Sequence, residues 1–205
     1  MNVSHSHSLD PAAFWHWFAG SERRFRDLSG PKSEALLEEL HERLRLYCTD
    51  LYFEVGGAPE HPVELVISAG GNASAFACVR ALVSAAPPLP AWTVIAFKQP
   101  HGFSFTTRHN GILLDPRRCM FQLLPERSQG GRHWLRIACP GYVASAAEDY
   151  AFAAWTALDR ALGEGFVSEH ILEIELCSIP RGPVPRAFQP LPVLATALLT
   201  RGVAV

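Results

Sequence analysis

The length, composition and charge of the chain exclude several classes of protein. Its 205 residues suffice for one large domain or two small ones, and 48% hydrophobic against 19% charged residues is the composition of a folded protein rather than a disordered one. The formal net charge is −2 and both signs are interspersed, which excludes the basic surface of a typical nucleic-acid-binding protein. No apolar run reaches the roughly 20 residues that span a bilayer. We therefore expect neither a nucleic acid nor a membrane among its partners.

The cysteines and the first residues indicate the compartment. Five cysteines are spread along the chain without any CxxC pair, which is typical of buried free thiols in a reducing cytoplasm. Residues 1–14 lack a basic stretch followed by an apolar one, so we expect no signal peptide. The sequence predicts a soluble, cytoplasmic protein, with residues 1–9 as a disordered lead.

Two helices are predicted before the first strand. Asp10 and Pro11 suit the N-cap and the first position of a helix, which then carries the aromatic run FWHWF. Residues 32–47 repeat leucines at helical spacing opposite glutamates and arginines, the pattern of an amphipathic surface helix. Within the aromatic run, Trp15 and Trp17 either anchor the first helix on the core or form exposed indoles that line a groove for a ligand or a partner.

Residues 51–98 show the clearest succession of elements. Strands are predicted at 51–55 and 63–69, and a third strand at 92–98. The helix between the second and third strands begins at Asn72, a good N-cap, and ends before a proline-rich stretch. This segment therefore predicts the order strand, strand, helix, strand.

The same order returns in the second half. The predicted elements there are strands at 119–124 and 133–139 with a loop at 125–132 between them, a helix at 146–162 and a strand at 171–179. A hairpin with strands at 103–108 and 112–114 links the two halves, because the Asn110-Gly111 pair favours a tight turn. Residues 192–199 are predicted to form a short helix near the end of the chain.

These elements predict an α+β fold. We expect one domain, 1–205, in which two strand–strand–helix–strand units form mainly antiparallel sheet with helices packed on one face, preceded by the two N-terminal helices. The halves, at about 51–100 and 117–180, form a pseudo-repeat, for which duplication is one explanation among others. Residues 181–205 are predicted to be a tail docked on the body of the domain.

Four sequence blocks carry a resemblance to a known family. They are FWHWF at 14–18 followed by Glu22, LYFEVGG at 51–57, ELVISAGG at 64–71 and APPLPAWTVIAFKQP at 86–100. In these blocks and their order the chain resembles an uncharacterised family of bacterial proteins whose members begin with an FWxWF-type helix. The resemblance is good over the first half and loose over the second. It implies an order of elements and a bacterial cytosolic setting, and it supplies no functional residues because the family has no assigned activity.

The turn Gly70-Gly71-Asn72 is the first candidate binding site. It lies between a predicted strand and a predicted helix, where backbone amides and the helix dipole can hold an anion. It lacks the spacing of a phosphate loop or a dinucleotide-binding fingerprint. A purely structural tight turn is the competing interpretation.

Glu54 and Lys98 are weak candidates for catalysis. Glu54 stands in an otherwise apolar strand, and Lys98 on the third strand is placed to pair with it. A carboxylate held in a sheet with a shifted pKa is a candidate general acid or base, whereas a solvent-facing position in an alternating strand explains the same residues. The HExxH and zinc-ligand patterns are absent, and we expect no metal and no cofactor. The GxSxG pattern is absent as well, which argues against a serine nucleophile.

The function that this sequence favours is that of a non-catalytic binding or accessory protein of the bacterial cytoplasm. Its partner is expected to be another protein, a second copy of the chain or a small molecule, bound through the sheet face or the aromatic first helix. This interpretation predicts an exposed apolar patch that includes Trp15 or Trp17. The alternative is a small-molecule enzyme, which predicts that Glu54, Lys98 and the glycine turn meet in one cleft.

Overall fold

The chain folds into two compact units. The computed structural model describes residues 10–58, 60–180, 182 and 185–201. Unit 1 comprises residues 1–98 and unit 2 residues 99–205, and each has its own hydrophobic core. Helices and mostly antiparallel sheets make this an α+β protein, which confirms the predicted fold class. In the described part of the chain, no helix is long and apolar enough to cross a membrane.

Unit 1 contains a three-stranded sheet preceded by two helices. Its elements are α1 (Pro11–Ser21), α2 (Ser33–Tyr47), β1 (Tyr52–Gly56), β2 (Val63–Ser68), α3 (Phe76–Ser84) and β3 (Trp92–Ala96), with 3-10 turns at Glu22–Phe25 and Ala73–Ala75. β1 and β2 form an antiparallel hairpin, and β3 lies parallel to β2 on its other side. The predicted order of strand, strand, helix and strand, and the two preceding helices, are confirmed.

Large rings fix α1 to the core of unit 1. Asp10 caps the helix, since its carboxylate accepts a hydrogen bond from the Ala12 N–H at 3.1 Å. Phe14 and Phe18 lie on the buried side, and the ring of Phe18 stacks on that of Phe25 with centroids 5.8 Å apart. Because these rings are buried, they join the helix and the turn that follows it to one core.

Both N-terminal helices also form hydrogen bonds to α3. The indole N–H of Trp15 donates to the Leu82 carbonyl at 2.7 Å, and the Tyr47 hydroxyl donates to the Cys78 carbonyl at 3.2 Å. Burial raises the pKa of Tyr47 to about 12, so this hydroxyl keeps its proton at neutral pH. Two buried polar groups are thereby satisfied, and α1 and α2 are positioned against the same helix.

Unit 2 contains two sheets. Its elements are β4 (Thr107–His109), β5 (Ile112–Leu114), β6 (Met120–Gln129), β7 (Arg132–Cys139), α4 (Ala147–Leu162), α5 (Glu164–His170), β8 (Ile171–Ser178), β9 (Gln189–Pro190) and α6 (Leu194–Arg201), with 3-10 turns at Pro116–Arg118, Ala144–Ala146 and Leu191–Val193. β4 pairs with β5, and the larger sheet has the order β8-β7-β6-β9. β6 and β7 are antiparallel and β7 and β8 parallel, so the predicted order of elements is confirmed here too. Leu194 and Leu198 of α6 are buried in the core of this unit.

The loop predicted at 125–132 is wrong over most of its length, because β6 continues through it as far as Gln129 and β7 begins at Arg132. β6 extends to Gln129, and the following glycine pair forms the turn with positive φ angles of 57° and 79°. Pro125 falls where the register of β6 against β7 shifts, between Leu124 and Gln129. An irregularity of this kind tolerates a proline inside a strand.

The strand predicted at 103–108 is wrong over most of its length, because only β4 at its end pairs with another strand. The N–H groups of His101 and Gly102 donate to carbonyl groups in the last turn of α4 at 2.9 and 3.1 Å. Phe103 and Phe105 pack against the core of unit 2. The alternation of apolar and polar residues at 103–105 therefore reflects the packing of two phenylalanines on the core, and not strand pairing.

Candidate functional site

The two indoles of the aromatic run differ in exposure. Trp15 is 2% exposed and donates its indole N–H to α3, so it belongs to the core. Trp17 is half-buried, and the Arg43 guanidinium carbon lies 5.3 Å from the centre of its ring. The run thus anchors α1, and Trp17 is the indole of the pair that reaches the surface of unit 1.

The turn Gly70-Gly71-Asn72 uses its polar groups for capping. Both glycines have positive φ angles, 58° and 82°. The Asn72 side-chain oxygen accepts the Ser74 N–H at 3.2 Å and caps the helical turn that follows. The Asn72 side-chain nitrogen lies 3.4 Å from the Asp50 carboxylate, whose negative charge opposes the binding of an anion. This geometry favours the structural interpretation of the turn.

Glu54 and Lys98 meet on the surface of unit 1. Lys98 lies two residues beyond the end of β3 and not on the strand, contrary to the prediction. Its Nζ lies 3.5 Å from a carboxylate oxygen of Glu54, although β2 separates β1 from β3. The glycine turn lies on the same side, since a Cβ at Gly70 would lie 3.1 Å from the ring of Tyr52, which shares a face of β1 with Glu54. The Glu54 side chain is 60% exposed, and an ion pair so open to water contributes no more than about 1 kcal/mol. The three features share a surface that is open to water at Glu54.

A groove of about 390 Å³ lies between α2 and β1. This α2–β1 groove is lined by Ser33, Glu34, Leu37, Glu38, His41, Tyr52 and Phe53. Helical spacing explains the first five, because residues three or four positions apart lie on one face of a helix. Strand alternation explains the last two: Tyr52 is 52% exposed, whereas Phe53 packs against the core.

The α2–β1 groove is lined by both apolar and acidic side chains. Leu37 and Phe53 are half-buried, whereas Glu34 and Glu38 are exposed. Within the described part of the chain, neither glutamate forms an ion pair or a side-chain hydrogen bond. The ring of His41 lies near that of Tyr52, with centroids 6.2 Å apart. A site of this kind attracts a ligand that joins positive charge to an apolar stem.

Sequence reasoning missed this groove. The helical pattern assigns Glu34 and Glu38 to the solvated face of an amphipathic helix, and their exposure agrees with that assignment. The signal that was present is a pair of glutamates one turn apart on the helix that leads into the aromatic pair Tyr52-Phe53. Such a pattern becomes a groove only through the packing of α2 beside β1, which local spacing does not specify.

Two thiols of unit 2 face each other in its core. The sulfur atoms of Cys119 and Cys139 are 3.9 Å apart and both residues are buried. The hydrogen bond between the two thiols, together with burial, raises the pKa of Cys139. The same hydrogen bond lowers the pKa of Cys119. Both thiols are enclosed in the core, where no reactant from solvent reaches them, so the pair is part of the core packing.

Neither a metal cluster nor a known relative assigns a function. Among the described residues, no group of three or more His, Cys, Asp or Glu side chains is placed to hold a metal ion. Comparison with known proteins finds no matching family model, no matching curated protein and no matching solved structure. Among the residues that the structure describes, the α2–β1 groove is the feature on which we base a functional proposal.

Proposed function

We propose that this protein is a non-catalytic binding or accessory protein and that a protein partner docks in the α2–β1 groove. The observation that carries the proposal is the coexistence of half-buried Leu37 and Phe53 with the unpaired charges of Glu34 and Glu38. Apolar side chains left half-open gain free energy when a partner covers them, and the charges beside them select the partner. Tyr52, exposed at the same place, belongs to a residue type that is enriched in interfaces.

Native mass spectrometry on protein purified without an affinity tag tests the proposal. We expect a complex heavier than the 22.5 kDa chain, whose extra mass disappears on denaturation. A doubled mass would assign the groove to a second copy of the chain instead. A bare chain mass contradicts the proposal.

Two lysine substitutions on α2 connect the extra mass to the groove. Leu37→Lys places a long charged side chain inside the groove and should remove the partner. Ala35→Lys lies on the same helix, at an exposed position outside the groove, and should retain it. Circular dichroism checks that both variants fold. Equal retention of the partner by the two variants places the interface elsewhere and contradicts the proposal.

A second candidate function is that of a small-molecule enzyme with Glu54 and Lys98 in its site. The 3.5 Å approach of the amine to the carboxylate favours it, because such a pair can exchange protons with a bound substrate. The test compares the unmodified protein with Glu54→Gln on a panel of ester, phosphoester and carbonyl substrates. Turnover that the variant loses supports the enzyme, and turnover that is equal or absent contradicts it.

We also propose that the protein is soluble and works in the bacterial cytoplasm, as the resemblance to an uncharacterised family implies. The odd cysteine count without a pairing pattern supports this compartment.

We further propose that the two strand–strand–helix–strand blocks of the chain arose by duplication. The antiparallel and then parallel pairing of both blocks supports the duplication. Relatives with visible identity between the blocks would strengthen it, and a relative in which one block pairs differently would contradict it.

A further inference from the structure

The unpaired edge of β1 and the two glutamates that line the α2–β1 groove restrict which ligands can bind in the groove. We infer that the occupant is an extended peptide segment, which pairs with β1 as an added strand and places a lysine or arginine side chain between Glu34 and Glu38. The site is that of the proposed function, on which this inference rests.

β1 offers a free strand edge. The sheet of unit 1 has the order β1-β2-β3, so β1 is paired on one side only. Among the described residues, the backbone of 52–56 forms hydrogen bonds with no element other than β2. An edge strand presents a row of N–H and C=O groups that an extended chain can pair with. Peptide-binding domains that work by strand addition use such an edge.

The chemistry of the groove matches a long cationic side chain. Lysine and arginine have an aliphatic stem, which can lie against half-buried Leu37 and Phe53 while the charged head stays in water. Glu34 and Glu38 stand one helical turn apart, where both can reach that head. A partner with an acidic side chain would bring a third negative charge to the same place. Charge complementarity therefore selects a basic segment.

A second concavity at the far end of β1 favours an extended occupant over a compact one. It measures about 260 Å³, and its lining includes Phe25, Val55 and Gly56. Val55 lies two residues beyond Phe53 of the α2–β1 groove, a distance of about 7 Å along a strand. Side chains on one face of an added strand repeat at this spacing, so successive ones enter the two concavities. A small cation would fill one concavity only.

Designed peptides test the inference on the full chain. The probe is an acetylated and amidated nine-residue peptide of threonine and serine with one central arginine. It is added to isotope-labelled protein, and the amide resonances are followed by NMR. We expect shifts in residues 52–56 and in the part of α2 that lines the groove. The same peptide with a central glutamate, and the arginine peptide with alternate backbone nitrogens methylated, should each bind at least about tenfold more weakly, because they lack the charge or the strand pairing.

Paired substitutions on α2 connect the affinity to the two glutamates. The double variant Glu34→Gln and Glu38→Gln should bind the arginine peptide about tenfold more weakly, a change of about one logarithmic unit in Kd, and should lose most of the salt dependence of binding. Glu42→Gln changes an exposed glutamate of the same helix that lies outside the groove, and it should leave both quantities unchanged.

Three results would overturn the inference: equal binding of the arginine and glutamate peptides, shifts confined to other parts of the chain, or full binding of the methylated peptide. If arginine amide alone gave the same shifts at the same affinity, the site would recognise a cation without strand pairing. If the peptides failed while Leu37→Lys still removed a partner in native mass spectrometry, the proposed function would stand and this inference would fall.

Discussion

Glu22 connects the turn after α1 to the sheet of unit 1. Its carboxylate accepts the indole N–H of Trp92 at 2.7 Å and is held from the other side by the Arg26 guanidinium. The guanidinium of Arg26, assisted by the Trp92 indole, keeps the pKa of Glu22 below its ordinary value of 4.5 in spite of partial burial. A charged hydrogen bond to a nearly buried tryptophan thus joins two segments that are far apart in the sequence.

We expect this residue to contribute to stability in a pH-dependent way. Because the pKa of Glu22 is lower in the folded than in the unfolded state, its contribution is present above pH 4.5 and is lost as the pH falls through the folded-state value. Glu22→Gln should lower the free energy of unfolding by about 2 kcal/mol at neutral pH. It should also reduce the further loss of stability on acidification. Urea unfolding followed by tryptophan fluorescence, at neutral pH and below pH 4.5, measures both effects.

The matched control for Glu22 is Glu42→Gln, which removes an exposed carboxylate from α2. We expect it to change the free energy of unfolding by less than about 0.5 kcal/mol. A Glu22→Gln variant that lost as much stability on acidification as the unmodified protein would contradict the assignment.

Single residues were predictable where neighbours in the sequence decide their conformation. Asp10 caps a helix through the N–H of Ala12, two positions away, and such a contact can be read from the local letters. The bond from Trp92 to Glu22 spans 70 positions and has no local signature. The burial of Trp15 could not be predicted for the same reason, because the carbonyl group that accepts its indole N–H belongs to α3.

At the scale of elements, α1 is held by its rings. Phe18 is fully buried, and its ring contacts those of Phe14, Phe25 and Trp92. We expect Phe18→Ala to lower the free energy of unfolding of unit 1 by about 4 kcal/mol, since it removes a large ring from a packed cluster and leaves a cavity. Chemical denaturation followed by tryptophan fluorescence measures the change.

An exposed position of the same helix provides the control for Phe18. His16→Ala should cost less than about 0.5 kcal/mol. Similar losses for the two substitutions would mean that α1 contributes through its length alone and not through its rings.

The elements that were predicted correctly are bounded in the sequence by residues that end helices and strands. The block at 51–98 has glycine and proline breaks between its strands and its helix, and the observed order follows them. The errors arose where a break residue sits inside an element or where the partner is remote. Pro125 lies within β6, and the chain before β4 binds carbonyl groups of α4. The α2–β1 groove belongs to the second kind, because its two sides come from separate elements.

At the scale of the whole molecule, each unit has a core that draws on its own residues. The buried cluster of unit 1 lies entirely within 14–92, and that of unit 2 within 114–198. We expect a fragment of residues 1–98 to fold by itself, because it retains every buried residue of this core cluster. Dispersed amide resonances and a cooperative unfolding transition would confirm this, and a collapsed fragment without either would contradict it.

The free edge of β1 has a consequence for the protein at high concentration. Open strand edges pair with each other and start aggregates unless charge keeps them apart. Two copies that approached through β1 would bring Glu34 and Glu38 of one copy toward the same residues of the other. The negative charges that are proposed to recruit a basic segment would then also protect the chain from its own copies, and replacing both glutamates with glutamine would leave a surface prone to precipitation.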